Sequence, residues 1–147
     1  MCMRASRLAA LLGLMAALHG CTDSTSAAVR AVMDAPIVPA SDAIFGAVVY
    51  TNGQLASAPT TDADWQRLDQ HVASLEGAAT TLKGLAPGQN AERWVVESDA
   101  LARAAADVRQ AVRARSLEGV LDAGSRLYDS CTNCHAVYAK DPLESSR

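Results

Sequence analysis

From Asp62 to Lys83, Trp65, Leu68, Val72, Leu75, Ala79 and Leu82 follow one another at spacings of three and four. That spacing winds one apolar stripe along a helix. Thr61 and Asp64 ahead of it have the pattern of a capping box. A second helix is predicted from Asn90, a candidate N-cap, to about Arg115. Trp94, Leu101, Ala105, Val108 and Val112 face inward on it, and Arg103, Arg109, Arg113 and Arg115 form a solvated face. A third helix opens at Ser116, carries Leu117, Val120, Leu121, Gly124, Leu127 and Tyr128 at the same spacing, and has Pro142 as its far limit. The inward phase of Gly124 predicts close approach by another helix or by a bound group.

Nearer the N-terminus the pattern starts twice. Residues 27–35 make two helical turns before Pro36 and Pro39, each of which removes a backbone donor. Residues 40–51 place Ile44, Ala47, Val48 and Thr51 on one face, so this first helix is predicted to be bent or broken at its start. Residues 52–61 and 84–90 are rich in Gly, Pro, Asn, Ser and Thr and read as loops. No period-two run argues for strands. Four helices with short connections predict an all-α, antiparallel up-down-up-down four-helix bundle.

The chain has 147 residues, enough for one domain with a core, but only one Phe, two Trp and three Tyr. Ala, Leu and Val must do most of the packing. Residues 1–20 stand apart: Arg4 and Arg7 precede an apolar run from Leu8 to Leu18, too short to span a bilayer, and small residues follow. They read as a cleaved export signal. Leu18-His19-Gly20-Cys21 resembles the lipobox of bacterial lipoproteins, which makes Cys21 the lipid attachment point and the new N-terminus. Residues 21–28 are small and polar, as a tether is, and residues 29–147 form the folded body. Loss of Arg4 and Arg7 leaves the mature chain at about −5. Nucleic acid is excluded as a partner, and a partner steered by charge would be locally basic.

Chemistry enters with Cys131-Thr132-Asn133-Cys134-His135, a C-x-x-C-H motif. Its two thiols have the spacing to add across the two vinyl groups of a haem, each S–H giving one S–C bond and one new C–H, while the imidazole binds the iron. Cys131, Cys134, His135 and Tyr138 continue the phase of Leu127, so the motif is predicted to face the interior near the end of the last helix. A zinc site would need further Cys or His ligands, and His71 is the only other histidine in the mature chain. A thioredoxin-like dithiol would need a βαβ context. The predicted cofactor is one covalently attached haem c.

An export signal, four amphipathic helices and a single C-x-x-C-H near the end of the last one resemble the cytochrome c prime superfamily over residues 27 to 141. Tyr138 matches the aromatic residue those proteins carry three positions after the histidine, whereas Ala139 stands where a basic residue is usual and Lys140 follows it. The resemblance implies that the group facing the iron opposite His135 decides the function. A methionine from the first helix gives a low-spin electron carrier; an apolar cap gives a five-coordinate haem that binds nitric oxide or carbon monoxide. Met33 is the only methionine of the mature chain and the candidate distal ligand. If the first helix begins near Ala40, Ile44 and Val48 cap the iron instead, and Phe45 lines the pocket or packs between helices. The resulting expectation is a periplasmic electron carrier, lipid-anchored at Cys21, that is not an enzyme and exchanges electrons with redox partner proteins. The alternative is a gas-binding haem protein. The family often dimerises, and the alanine-rich faces fit dimer and bundle packing equally well.

Overall fold

The computed structural model describes residues 25–88 and 90–139; the expected export signal, Cys21, Lys140 and Pro142 lie outside them. The described chain is mostly helical, with one short hairpin. Its first helix, α1, runs through residues 25–45. The helix therefore already occupies residues 25–28, within the expected tether, and continues past both prolines. A π-helical turn at Met33–Ile37 explains how: Val38 N–H donates five residues back to the Met33 carbonyl, and the widened turn takes in Pro36, which has no N–H. Pro39 falls in the first turn of the α-helical part, Val38–Phe45, where a donor is dispensable.

α1 ends at Phe45, six residues short of the predicted Thr51. Strands β1 (Val49–Thr51) and β2 (Gln54–Ser57) pair antiparallel instead, with Tyr50 opposite Leu55 and Thr51 opposite Gln54. Asn52 at φ 51° and Gly53 at φ 76° supply the two left-handed residues of a two-residue hairpin turn. The β-branched run around Tyr50 prefers that geometry to a helix.

α2 (Asp62–Gly84) begins with the predicted capping box. The Thr61 N–H and hydroxyl both donate to Asp64 Oδ2 at 2.8 Å, and Asp64 N–H donates back to Thr61 Oγ1 at 3.2 Å. Its predicted stripe is buried, joined by Ala78. α3 (Ala91–Arg113) starts after Asn90, which occupies the cap position in the left-handed region at φ 59° and makes no side-chain cap bond. Arg115, also left-handed, closes α3 with Arg115 N–H on the Val112 carbonyl and Ser116 N–H on that of Ala111. Ser116 then caps α4 (Leu117–Tyr138), accepting from Gly119 N–H at 3.0 Å.

α3 packs against both α2 and α4, and α1 lies on α2 and touches α4. Val72, Leu75, Val108, Val112, Val120 and Leu127 are fully buried between them. Arg109, expected on a solvated face, is half-buried and joins α3 to α2 through Asp69 at 3.2 Å and through Glu76. No helix of the described residues is long and apolar enough to cross a membrane.

Candidate functional site

α4 carries Leu127, Cys131, Cys134 and Tyr138 along one side, from the fully buried Leu127 to a half-buried end. Cys131 and Cys134 are free thiols. Burial pushes both above the ordinary thiol range, and the Glu97 carboxylate pushes Cys134 further. Both stay S–H at neutral pH, the form that adds across a vinyl group. His135 is exposed and borders a cavity, so its predicted interior placement is corrected: the buried side of α4 ends in the half-buried Cys131, Cys134 and Tyr138.

The end of α4 is fastened. Tyr138 Oη donates to the Asn90 carbonyl at 2.9 Å and meets Trp94 edge-on, with ring centroids 4.9 Å apart and planes at 81°. Trp94 Nε1 in turn donates to the Leu82 carbonyl at 2.5 Å. Three helices thus fix where Cys134 and His135 sit.

Beside them lies a cavity of about 670 Å³. Its α4 wall is Tyr128, Ser130, Cys131, Cys134 and His135; its α1 wall is Met33, Ile37, Ser41 and Phe45; Leu82, Trp94, Glu97, Ser98 and Leu101 close it behind. A groove of about 590 Å³ adjoins it and shares Met33, Trp94, Cys134 and His135, so one cleft runs between Met33 on α1 and His135 on α4. Arg30 borders the groove. Pockets for organic cofactors commonly span about 300 to 1,000 Å³ with mainly apolar walls and a few placed polar groups. The cleft has that form.

Its polar groups are unusual for a core. Among the described residues Glu97, Ser98 and Ser130 are the buried polar or charged ones, and all three line this cavity. Ser130 Oγ donates to the Leu127 carbonyl at 2.7 Å, and Glu97 accepts from Arg93 Nε at 2.6 Å. Ser41 Oγ, on the opposite wall, is buried without any hydrogen-bond partner. A hydroxyl left so costs about 1 to 3 kcal/mol unless a bound group answers it.

The cavity brings together Cys131, Cys134, His135 and Met33. It does not include Ile44 and Val48: both are core residues, 2% and 3% exposed, beside a separate hollow of about 430 Å³. Neither lines the cavity beside the motif, because the face of α1 that meets it carries Met33, Ile37, Ser41 and Phe45, and their assignment to the distal pocket is corrected. Phe45 lines the cavity and stacks edge-on against Tyr128, centroids 6.2 Å apart. Gly124 borders the 430 Å³ hollow, and a Cβ added there would meet nothing within 4 Å, so no other helix makes the predicted close approach. His71 lines a shallow groove with Ala47, Ser57 and Asp64, away from the cavity. Trp94 is a wall of the site as well as a core anchor.

Sequence reading missed Ile37, Ser41, Glu97 and Ser130. Glu97 was detectable in principle, as a charged residue three after Trp94 and four before Leu101 on an apolar stripe. Ile37 and Ser41 depend on a helix that passes its prolines, which spacing alone does not indicate. Among the described residues no group of three or more His, Cys, Asp or Glu side chains converges as an ion site. Comparison with models of protein families, with curated proteins and with solved structures gives no match to this chain.

Proposed function

We propose that the chain is a monohaem c-type cytochrome of the cytochrome c prime kind, an antiparallel four-helix bundle that carries single electrons after export to the periplasm. The observation that carries the reading is one cleft bordered by Cys131, Cys134 and His135 on α4 and by Met33 on the facing α1. A bare ion finds too few ligands there, whereas a porphyrin brings four nitrogens of its own and needs one or two from the protein. When bound, haem supplies one-electron exchange between ferric and ferrous iron.

In this reading Cys131 and Cys134 tether the group through thioethers and His135 provides the proximal nitrogen. Met33 would offer a thioether from α1, a ligand that favours reduced iron and raises its potential. Leu82, Trp94 and Leu101 exclude water behind it, and the unpartnered Ser41 hydroxyl is free to donate to it. Substrate chemistry by side chains has no part in this scheme; redox partner proteins meet the group at the open edge of the cleft. The lipid anchor at Cys21 rests on the sequence of the export signal.

A second reading has a specific basis. Ile37 lies one turn beyond Met33, is 6% exposed and lines the same wall. With Ile37 over the iron the site is five-coordinate and binds nitric oxide or carbon monoxide. The test is the ferrous visible spectrum of protein purified with its haem. A sharp, split low-spin band unaltered by carbon monoxide supports the carrier; a broad high-spin spectrum with immediate carbon monoxide binding selects the gas binder. Wild-type protein whose haem is lost on denaturation, with no added mass on the 131–135 peptide, overturns both.

A further inference from the structure

We infer that Glu97 is a buried fixed charge that lowers the reduction potential of the group held by Cys131, Cys134 and His135. This rests on the haem reading above. Glu97 is the one charged residue among the buried described residues, 7% exposed beside Ser98 on the face between Trp94 and Leu101. Packing does not need a carboxylate there. Burial of an ion is costly, and an exposed Arg-to-Glu pair four apart on a helix returns little, least of all with the cation on the N-terminal side.

The ion pair does not cancel the charge at the cavity. Arg93 Nε meets Glu97 Oε1 at 2.6 Å, but the Arg93 side chain is 56% exposed and that of Glu97 9%. Water screens the guanidinium far more than the carboxylate, and only the carboxylate borders the cavity. No Lys or Arg lines the 670 Å³ cavity, whose other charges are Asp34 and Asp42, both exposed; Arg30, exposed as well, borders the adjoining groove. The wall is therefore negative, with its least screened charge at Glu97. Negative potential stabilises the more positive ferric state. A unit charge about 10 Å from a redox centre, across an effective dielectric of about 20, alters a one-electron equilibrium roughly tenfold.

The test is potentiometric titration of the holoprotein and its variants, with haem content read by mass. Glu97→Gln, nearly isosteric and still an acceptor for Arg93, is expected to raise the midpoint by about 59 mV, the equivalent of that tenfold change for one electron. Glu97→Asp keeps the charge and stays close to wild type. Asp42→Asn moves the midpoint much less, and its shift fades at high salt while that of Glu97→Gln persists. Should Glu97→Gln not accumulate, Glu97→Met, similar in volume and uncharged, must give the same direction. An unchanged midpoint in a fully haem-loaded Glu97→Gln protein overturns the inference and leaves the cytochrome reading standing. An equal shift from Asp42→Asn overturns the part assigned to burial. Absence of covalent haem from the wild type removes both.

Discussion

Leu127 joins the core to the C-x-x-C-H motif, and truncating it tests whether the phase of α4 is right. The side chain is fully buried, and Cys131 lies one turn further along the same face. Leu127→Ala removes three carbon groups, about 0.8 kcal/mol each in transfer free energy, so about 2.4 kcal/mol before any void is counted. Incomplete collapse of the neighbours Val120, Ala123 and the α3 stripe adds to this, and the total expected is about 3 to 4 kcal/mol. Leu121, on the same helix but 38% exposed, provides the control: Leu121→Ala should cost less than about 1 kcal/mol. Urea unfolding of the holoproteins, followed by far-UV circular dichroism with the slope compared across variants, measures both. A loss under 1 kcal/mol at Leu127, or equal losses at the two positions, would refute the assigned phase and with it the inward placement of the motif.

Met33→Ala is expected to convert a low-spin ferrous spectrum into a high-spin one that takes up carbon monoxide; an unchanged spectrum excludes Met33 as ligand. At the start of α2, hydrogen bonds from the Thr61 side chain, the Thr61 N–H and the Thr60 N–H hold the Asp64 carboxyl at about 2, below its ordinary 3.8. A depressed folded-state value contributes stability that is complete above about pH 4 and is lost as pH falls toward 2. The stability difference between wild type and Asp64→Asn should therefore shrink across that window, and an NMR titration midpoint near 3.8 would contradict it. In the hairpin, Gly53→Ala places a side chain at φ 76° and should lower stability by about 1 kcal/mol in urea unfolding without changing haem content.

Two kinds of feature were legible in the sequence. The stripes of α2 and α3 and the Thr61 and Ser116 caps follow from local spacing, and the structure places them within a residue or two of their predicted positions; on α4, Val120, Gly124 and Leu127 are buried as predicted, whereas Leu121 and Tyr128 are exposed. The thiols and imidazole of the motif were legible because their chemistry is carried in five consecutive residues. The N-terminal third was not. Pro36 and Pro39 signal a break, yet a π turn accommodates both, and whether it forms depends on packing against α2 that no local pattern encodes. The Asn52-Gly53 hairpin turn was present in the sequence, but a three-to-four spacing through Ile44, Ala47, Val48 and Thr51 outweighed it. The expectation of Ile44 and Val48 at the distal pocket depends on a helix that begins near Ala40, whereas Ile37 and Ser41 reach the cavity only because α1 starts earlier.

The departures from good packing in the described structure gather at one place. An unfilled volume of about 670 Å³, an unpartnered buried hydroxyl at Ser41, a buried carboxylate at Glu97 and two half-buried thiols all border the same cleft. The void, the unpartnered hydroxyl and the buried carboxylate are each unfavourable by themselves, and a domain of this size is stable by only about 5 to 15 kcal/mol in total. Scattered, they would read as ordinary imperfections. Gathered around a C-x-x-C-H, in a chain with one Phe and two Trp to fill its interior, they support the proposal that a large flat apolar group binds there. The same reasoning predicts where stability resides: haem covalently held at Cys131 and Cys134 would fill the cleft only in the folded state, so loss of both thiols should lower the thermal midpoint well beyond the effect of two small surface substitutions. Equal midpoints for wild type and a Cys131→Ala, Cys134→Ala protein, measured by differential scanning calorimetry, would contradict it.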